Sequence, residues 1–139
     1  MVVDAGQRGG QLTIGGRDGR ITQVGYILRK FKLDELPQLY NVLVGDMSFV
    51  GPRPEVPKYV ELYDQEQLKV LEVKPGITDL ASIEFRNENE LLEKYDNPDK
   101  AYIEEIMPQK LKLNLVYINS QSLFLDVLII LKTILKIIN

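Results

Sequence analysis

The chain has 139 residues, 45% hydrophobic and 27% charged, with a net charge of −3. That is the composition of one globular domain with a modest core, and its acidic balance argues against a dedicated nucleic-acid binder. With neither cysteine nor histidine there is no disulfide, no thiolate zinc site and no imidazole base. A metal must be held by oxygen ligands, and a nucleophile must be a carboxylate, hydroxyl, lysine or metal-bound water.

Residues 1–20 are rich in glycine and charge and read as loop, weakly hairpin-like around Leu12–Ile14. There is no signal peptide, and no apolar run reaches the roughly 20 residues of a transmembrane helix, so the chain reads as cytoplasmic. From Thr22, a candidate N-cap, Val24, Ile27, Leu28 and Phe31 recur at helical spacing. Asp34 is placed to cap a second helix running through Leu43, with Pro37 in its first turn and Gly45 as its stop. Met47–Val50 reads as a short buried strand. Pro57–Val73 reads as one or two helices packing Tyr59, Leu62, Tyr63, Leu68 and Leu71 into the core. Lys74-Pro75-Gly76 is a turn, and Ile77–Ile83 reads as extended. Two helices, Glu90–Lys94 and Asp99–Met107, flank the Asn97-Pro98 break. Residues 108–118 alternate partly like a strand, but their Leu/Lys content favours helix. The stretch 122–138 is strongly apolar and is either a core helix or one lying on a membrane surface with its lysines toward the headgroups. The predicted fold is mixed α/β, mostly helical with a few short strands, in one compact domain whose amphipathic helices are suited to a membrane surface.

The densest concentration of unusual choices lies between Leu28 and Val56. A basic run (Arg29, Lys30, Lys32) precedes the adjacent carboxylates Asp34 and Glu35, and a Gly51-Pro52-Arg53-Pro54-Glu55 turn follows. At a helix N-terminus the two carboxylates would meet unpaired N–H groups and a positive dipole end. Alone, such a pair is most simply a cap with its dipole partner. Arg53, between two prolines, is held extended, which lowers the entropy cost of presenting a guanidinium to phosphate. Arg86, in a polar loop, is a second candidate anion contact. Together these residues point to a site for a metal ion and a phosphorylated substrate.

The segments LRKFKLDELPQLYNVLVGDMSFVGPRPE (28–55), VKPGITDLASIEFRNENELL (73–92) and LKLNLVYI (111–118) resemble the bacterial sugar transferases, the monotopic phosphoglycosyl transferases. The likeness extends over residues 1–139. It implies transfer of a sugar 1-phosphate from a UDP-sugar donor to an undecaprenyl phosphate acceptor, with release of UMP and a requirement for Mg2+. This is the initiating step of exopolysaccharide, capsule, O-antigen or glycoprotein glycan synthesis. The family's dyad falls on Asp34, the implied nucleophile of a covalent phosphosugar intermediate, and Glu35, with both implied at the metal. Arg53 matches the family's Pro-Arg-Pro arginine and Arg86 a later one, both implied at phosphate, with Arg29 as a further candidate. The implied setting is the lipid surface at the cytoplasmic face of the inner membrane, and a homodimer is left open. The family's re-entrant membrane helix and basic-aromatic segment lie upstream of the position of Met1, so the chain resembles an N-terminally truncated catalytic portion. Commoner members read GITGLAQV where this chain has Gly76-Ile77-Thr78-Asp79-Leu80-Ala81-Ser82-Ile83, a departure that bears on sugar preference. The alternative is a catalytically silent domain that docks on a membrane or on partner enzymes of glycan assembly.

Overall fold

The computed structural model describes residues 21–30 and 33–138. The expectations for residues 1–20, and the placements of Phe31 and Lys32, lie outside the described residues. Helix α1 (Gln23–Lys30) opens as expected at Thr22, whose Oγ1 accepts from the Gly25 amide at 3.1 Å. The next segment differs from expectation. Leu33–Glu35 is a 3-10 turn, and α2 spans Gln38–Val44 with Pro37 at its N-cap. The reason is Pro37. Of the two amides a cap at Asp34 could serve, those of residues 36 and 37, Pro37 has none, and Leu36 before a proline is biased away from helical angles. Gly45 ends α2 as predicted, at φ +88°, with its amide on Val42 O and that of Asp46 on Asn41 O.

Strand β1 (Ser48–Val50) pairs in parallel with β2 (Gly76–Thr78), Ser48 opposite Gly76 and Val50 opposite Thr78. The crossover holds α3 (Pro57–Val60) and a 3-10 turn (Gln67–Leu71). Here Tyr59 and Val70 are buried, whereas Leu62, Leu68 and Leu71, expected in the core, are exposed. The extended reading of 77–83 fails after Thr78. Asp79 caps α4 (Leu80–Glu84), its Oδ1 accepting from Ser82 N at 2.5 Å while Ser82 Oγ accepts from Asp79 N at 3.1 Å. That reciprocal pair of bonds satisfies donors a continued strand would have left open.

Helix α5 (Glu88–Leu92) and α6 (Pro98–Ala101) follow. The latter leads through a π-helical turn, Tyr102–Ile106, into α7 (Met107–Asn119), so 108–118 is helical. Helix α8 spans Leu123–Ile138. Tyr59, Leu92, Tyr102, Ile106 and Leu111 are at the centre of one core. Val50, Tyr117 and Ile129 form a second, between the strand pair and α8. The core reading of α8 holds for its inner side only. Ile129 is fully buried, while Leu123, Phe124 and Ile138 are 81%, 80% and 76% exposed. Positions 124, 127, 131, 135 and 138 form one stripe at helical spacing, and all five are exposed and apolar. No helix among the described residues is long and apolar enough to cross a membrane.

Candidate active site

The strand pair positions the site. Beyond Val50 the chain enters Gly51-Pro52, both buried, and then Arg53. Beyond Thr78 it enters Asp79, which is 3% exposed. Asp79 Oδ2 accepts from the Arg53 amide at 3.3 Å, so the helix cap also holds the Pro-Arg-Pro turn. Gly76 is required there, because a Cβ on it would land on the Gly51 amide and 2.5 Å from the Gly51 carbonyl oxygen. From this base the Arg53 guanidinium reaches back to the carboxylate segment. Nη1 donates to Glu35 Oε1 at 3.3 Å and Nη2 to Gln38 Oε1 at 3.0 Å. Asp34, next to Glu35, faces a different arginine, with Arg29 Nε 4.0 Å from Asp34 Oδ2. Each carboxylate thus meets a guanidinium group, Glu35 that of Arg53 and Asp34 that of Arg29. The side chain of Asp34 is 40% exposed and that of Glu35 only 16%.

A cavity of about 270 Å3 opens beside this arrangement, with Glu35, Arg53, Arg86 and Lys136 in its wall. Leu36, Leu39, Ile77 and Ile83 form much of its apolar lining, and α8 closes one side through Thr133 and Ile137. Thr78 Oγ1 lies 2.7 Å from Thr133 Oγ1, which itself donates to Ile129 O at 2.9 Å, and Lys136 Nζ donates to Ile83 O at 2.5 Å. These bonds fasten α8 across the strand ends. Among the described residues, three cations and one carboxylate in the wall make the cavity locally positive in a chain of net charge −3, a field suited to an anionic ligand. Glu35, Arg53 and Arg86 therefore share one cavity, and Asp34 and Arg29 pair outside its wall. Gln38 and Lys136 were not foreseen. Gln38 stands three residues after Glu35, a spacing that could have flagged it, but nothing local marks Lys136.

Behind the Pro-Arg-Pro turn is a largely buried polar cluster. Lys110 Nζ lies 2.9 Å from Glu55 Oε1, 3.0 Å from Glu88 Oε2 and 3.0 Å from the Tyr102 hydroxyl, which donates a short bond to Glu55. Burial works against the Lys110 charge, but the two carboxylates outweigh it and hold its pKa above the ordinary lysine value. Burial, with the Glu55 charge next, keeps Tyr102 neutral far above the usual phenol range. Tyr63 is pushed up to about 12 by burial, again with Glu55 adding.

The sequence profile of bacterial sugar transferases matches residues 1–139. The chain belongs to the bacterial sugar transferase family. It is 41% identical over 117 residues to the exopolysaccharide production protein ExoY of Rhizobium meliloti, covering 84% of this chain and 45% of that protein. To the UDP-glucose:undecaprenyl-phosphate glucose-1-phosphate transferase of Klebsiella pneumoniae it is 42% identical over 123 residues, 86% of this chain and 24% of that protein. To the UDP-N-acetylgalactosamine-undecaprenyl-phosphate N-acetylgalactosaminephosphotransferase of Aeromonas hydrophila it is 36% identical over 143 residues, 99% of this chain and 30% of that protein. This bacterial sugar transferase chain spans less than half the length of each of these three relatives.

No group of three or more acidic side chains gathers among the described residues. Asp34 and Glu35 offer two carboxylates, which suits Mg2+, an ion that keeps several waters and takes other ligands from substrate phosphate.

Proposed function

We propose that the chain transfers a sugar 1-phosphate from a UDP-sugar to undecaprenyl phosphate, in the initiating step of a surface or secreted glycan. The observation that carries this is the Glu35–Arg53 contact at 3.3 Å, which joins the two motifs of the family at the wall of a positive cavity that also holds Arg86. The Asp34 carboxylate attacks the sugar-bearing phosphorus of the donor. The bond from that phosphorus to the bridging oxygen breaks and UMP leaves with the oxygen. A phosphate oxygen of the acceptor then attacks the same phosphorus, restores the Asp34 carboxylate and forms the lipid diphosphate sugar. Neither step needs a proton donor, because each leaving group, UMP and then the Asp34 carboxylate, departs as an anion. This suits a chain with no histidine or cysteine. Arg53 and Arg86 stabilise the negative charge on the phosphoryl oxygens in transit. Arg29, 4.0 Å from Asp34, is a further cation placed for the donor phosphates. Asp34 and Glu35 would hold a Mg2+ ion, which would supply charge neutralisation at the diphosphate. The acceptor is a lipid, and the apolar stripe of α8 at 124, 127, 131, 135 and 138 supports seating against the inner-membrane surface on its cytoplasmic side.

The test is UMP release from a panel of UDP-sugars with undecaprenyl phosphate and Mg2+ in detergent, for the parent protein and Asp34→Asn. Release by the parent and a loss of at least about 10³-fold in the variant are expected, since no second group can replace the nucleophile. Retained activity in Asp34→Asn removes that residue from the role. A folded parent inactive with every donor leaves the chain as a docking domain of glycan assembly.

A further inference from the structure

We propose that Lys110 is a positioning residue that sets the separation of Arg53 and Arg86 across the cavity by clamping the two segments that carry them. This rests on the phosphate-binding reading of those arginines. The two segments share one layout. Arg53 is followed by Pro54 and Glu55, and Arg86 by Asn87 and Glu88, so each arginine stands two residues ahead of a carboxylate. Both carboxylates turn inward onto the same ammonium group, Glu55 at 2.9 Å and Glu88 at 3.0 Å. The third lysine donor points at the Tyr102 hydroxyl at 3.0 Å, so all three N–H groups of Lys110 are used.

These contacts are not ordinary surface ion pairs. The side chains of Lys110, Glu55 and Glu88 are 20%, 19% and 22% exposed. A buried ion cluster is weak evidence of stability, since desolvation offsets much of the attraction, but it does fix geometry. The geometry here reaches the site through short, stiff links. Pro54 separates Glu55 from Arg53 with a fixed φ, and Glu88 begins α5 directly after the Arg86-Asn87 loop. Lys110 itself comes from α7, a 13-residue helix entered through the π-helical turn that supplies Tyr102. It is not among the residues lining the cavity. One long helix thus holds two loops in register without touching a ligand. Pre-set spacing of the two guanidinium groups matters because a misplacement of about 1 Å in a site can cost roughly 10²-fold in rate.

The experiment is a double-mutant cycle read by calorimetric UDP binding with Mg2+, in the whole protein, beside UMP release. Lys110→Met is expected to weaken UDP binding about tenfold, and by less than about threefold when Arg86 is already alanine, since one of its two routes to the ligand is then gone. Lys110→Met strands two carboxylates, so Lys110→Met/Glu55→Gln/Glu88→Gln, which removes all three charges, is carried through the same cycle. It is expected to fold, with the weak binding unrestored. Equal losses with and without Arg86, parent-like binding by the triple variant, or failure of the triple variant to fold would each overturn the assignment. UDP binding without UMP release in the parent overturns the transferase reading while the cycle still scores the clamp; a parent that does not bind UDP overturns both.

Discussion

Asp79 offers the sharpest test of how the site is supported. Its two carboxylate oxygens do separate things, one capping α4 at Ser82 N (2.5 Å) and the other holding the Arg53 amide (3.3 Å), at 3% exposure. In Asp79→Ala the cap is lost, at about 1 kcal/mol, and the Arg53 N–H loses its charged acceptor, at about 1–3 kcal/mol. The sum is about 2–4 kcal/mol. Asp79→Gly, the residue of the commoner family pattern, keeps most of the cap because glycine is tolerated there, so only the second loss of about 1–3 kcal/mol remains. Asp79→Asn keeps one acceptor oxygen, enough for the cap, and turns a donor toward the other N–H, so it should fall with the glycine variant, about 1–3 kcal/mol below the parent. Urea unfolding followed by circular dichroism reads the order directly. With a slope of about 2 kcal/mol per molar, the alanine variant should unfold at about 1–2 M less urea than the parent. Alanine and glycine variants within about 0.5 kcal/mol of the parent would refute the two-handed role. The departure at this position would then need an explanation at the donor sugar.

Gly76→Ala should cost about 3 kcal/mol or prevent folding, because the new methyl collides with Gly51 backbone rather than a movable side chain; soluble yield and thermal midpoint report it. Asp34→Asn, by contrast, should melt within a few degrees of the parent, since its ion pair with Arg29 is exposed and 4.0 Å long. The tyrosines give the pH dependence. Tyr63 is raised to about 12 from 10.0, and Tyr59, Tyr102 and Tyr117 are also raised, with burial as the first cause in each. A raised folded pKa contributes stability that is complete below pH 10 and is lost as pH rises through the folded value. Tyrosinate absorbance at about pH 11 should therefore show fewer of the seven tyrosines ionised in folded than in urea-unfolded protein. Equal counts would contradict the burial.

Sequence reading recovered what is carried by local rules. Gly45 at the end of α2 and Thr22 before α1 act as their residue types require. It failed where one residue vetoes a neighbour's preference. Asp34 is a good cap in isolation, but Pro37 removes one of the two donors it could cap and biases Leu36 away from helical angles. Asp79 looked like part of a strand because the apolar run around it hides that Ser82 completes a capping box. The site's remaining parts are invisible for another reason. Lys136, Thr133 and Lys110 belong to helices whose sequences are explained by packing alone. Their roles come from contacts 53 to 55 residues away along the chain, Lys136 with Ile83, Thr133 with Thr78 and Lys110 with Glu55.

Those long separations bear on synthesis. Chains emerge from the ribosome N-terminus first, at about 5–20 residues per second. Glu35, Arg53 and Arg86 are all translated before Thr133, Lys136 and Ile137, the residues that close the cavity from α8. A nascent chain therefore carries the charged motifs for some seconds without a cavity to put them in, and chains interrupted before α8 have the motifs but not the wall. Completion of α8, and its settling across the strand ends, is thus the step that gives these charged residues a shared cavity.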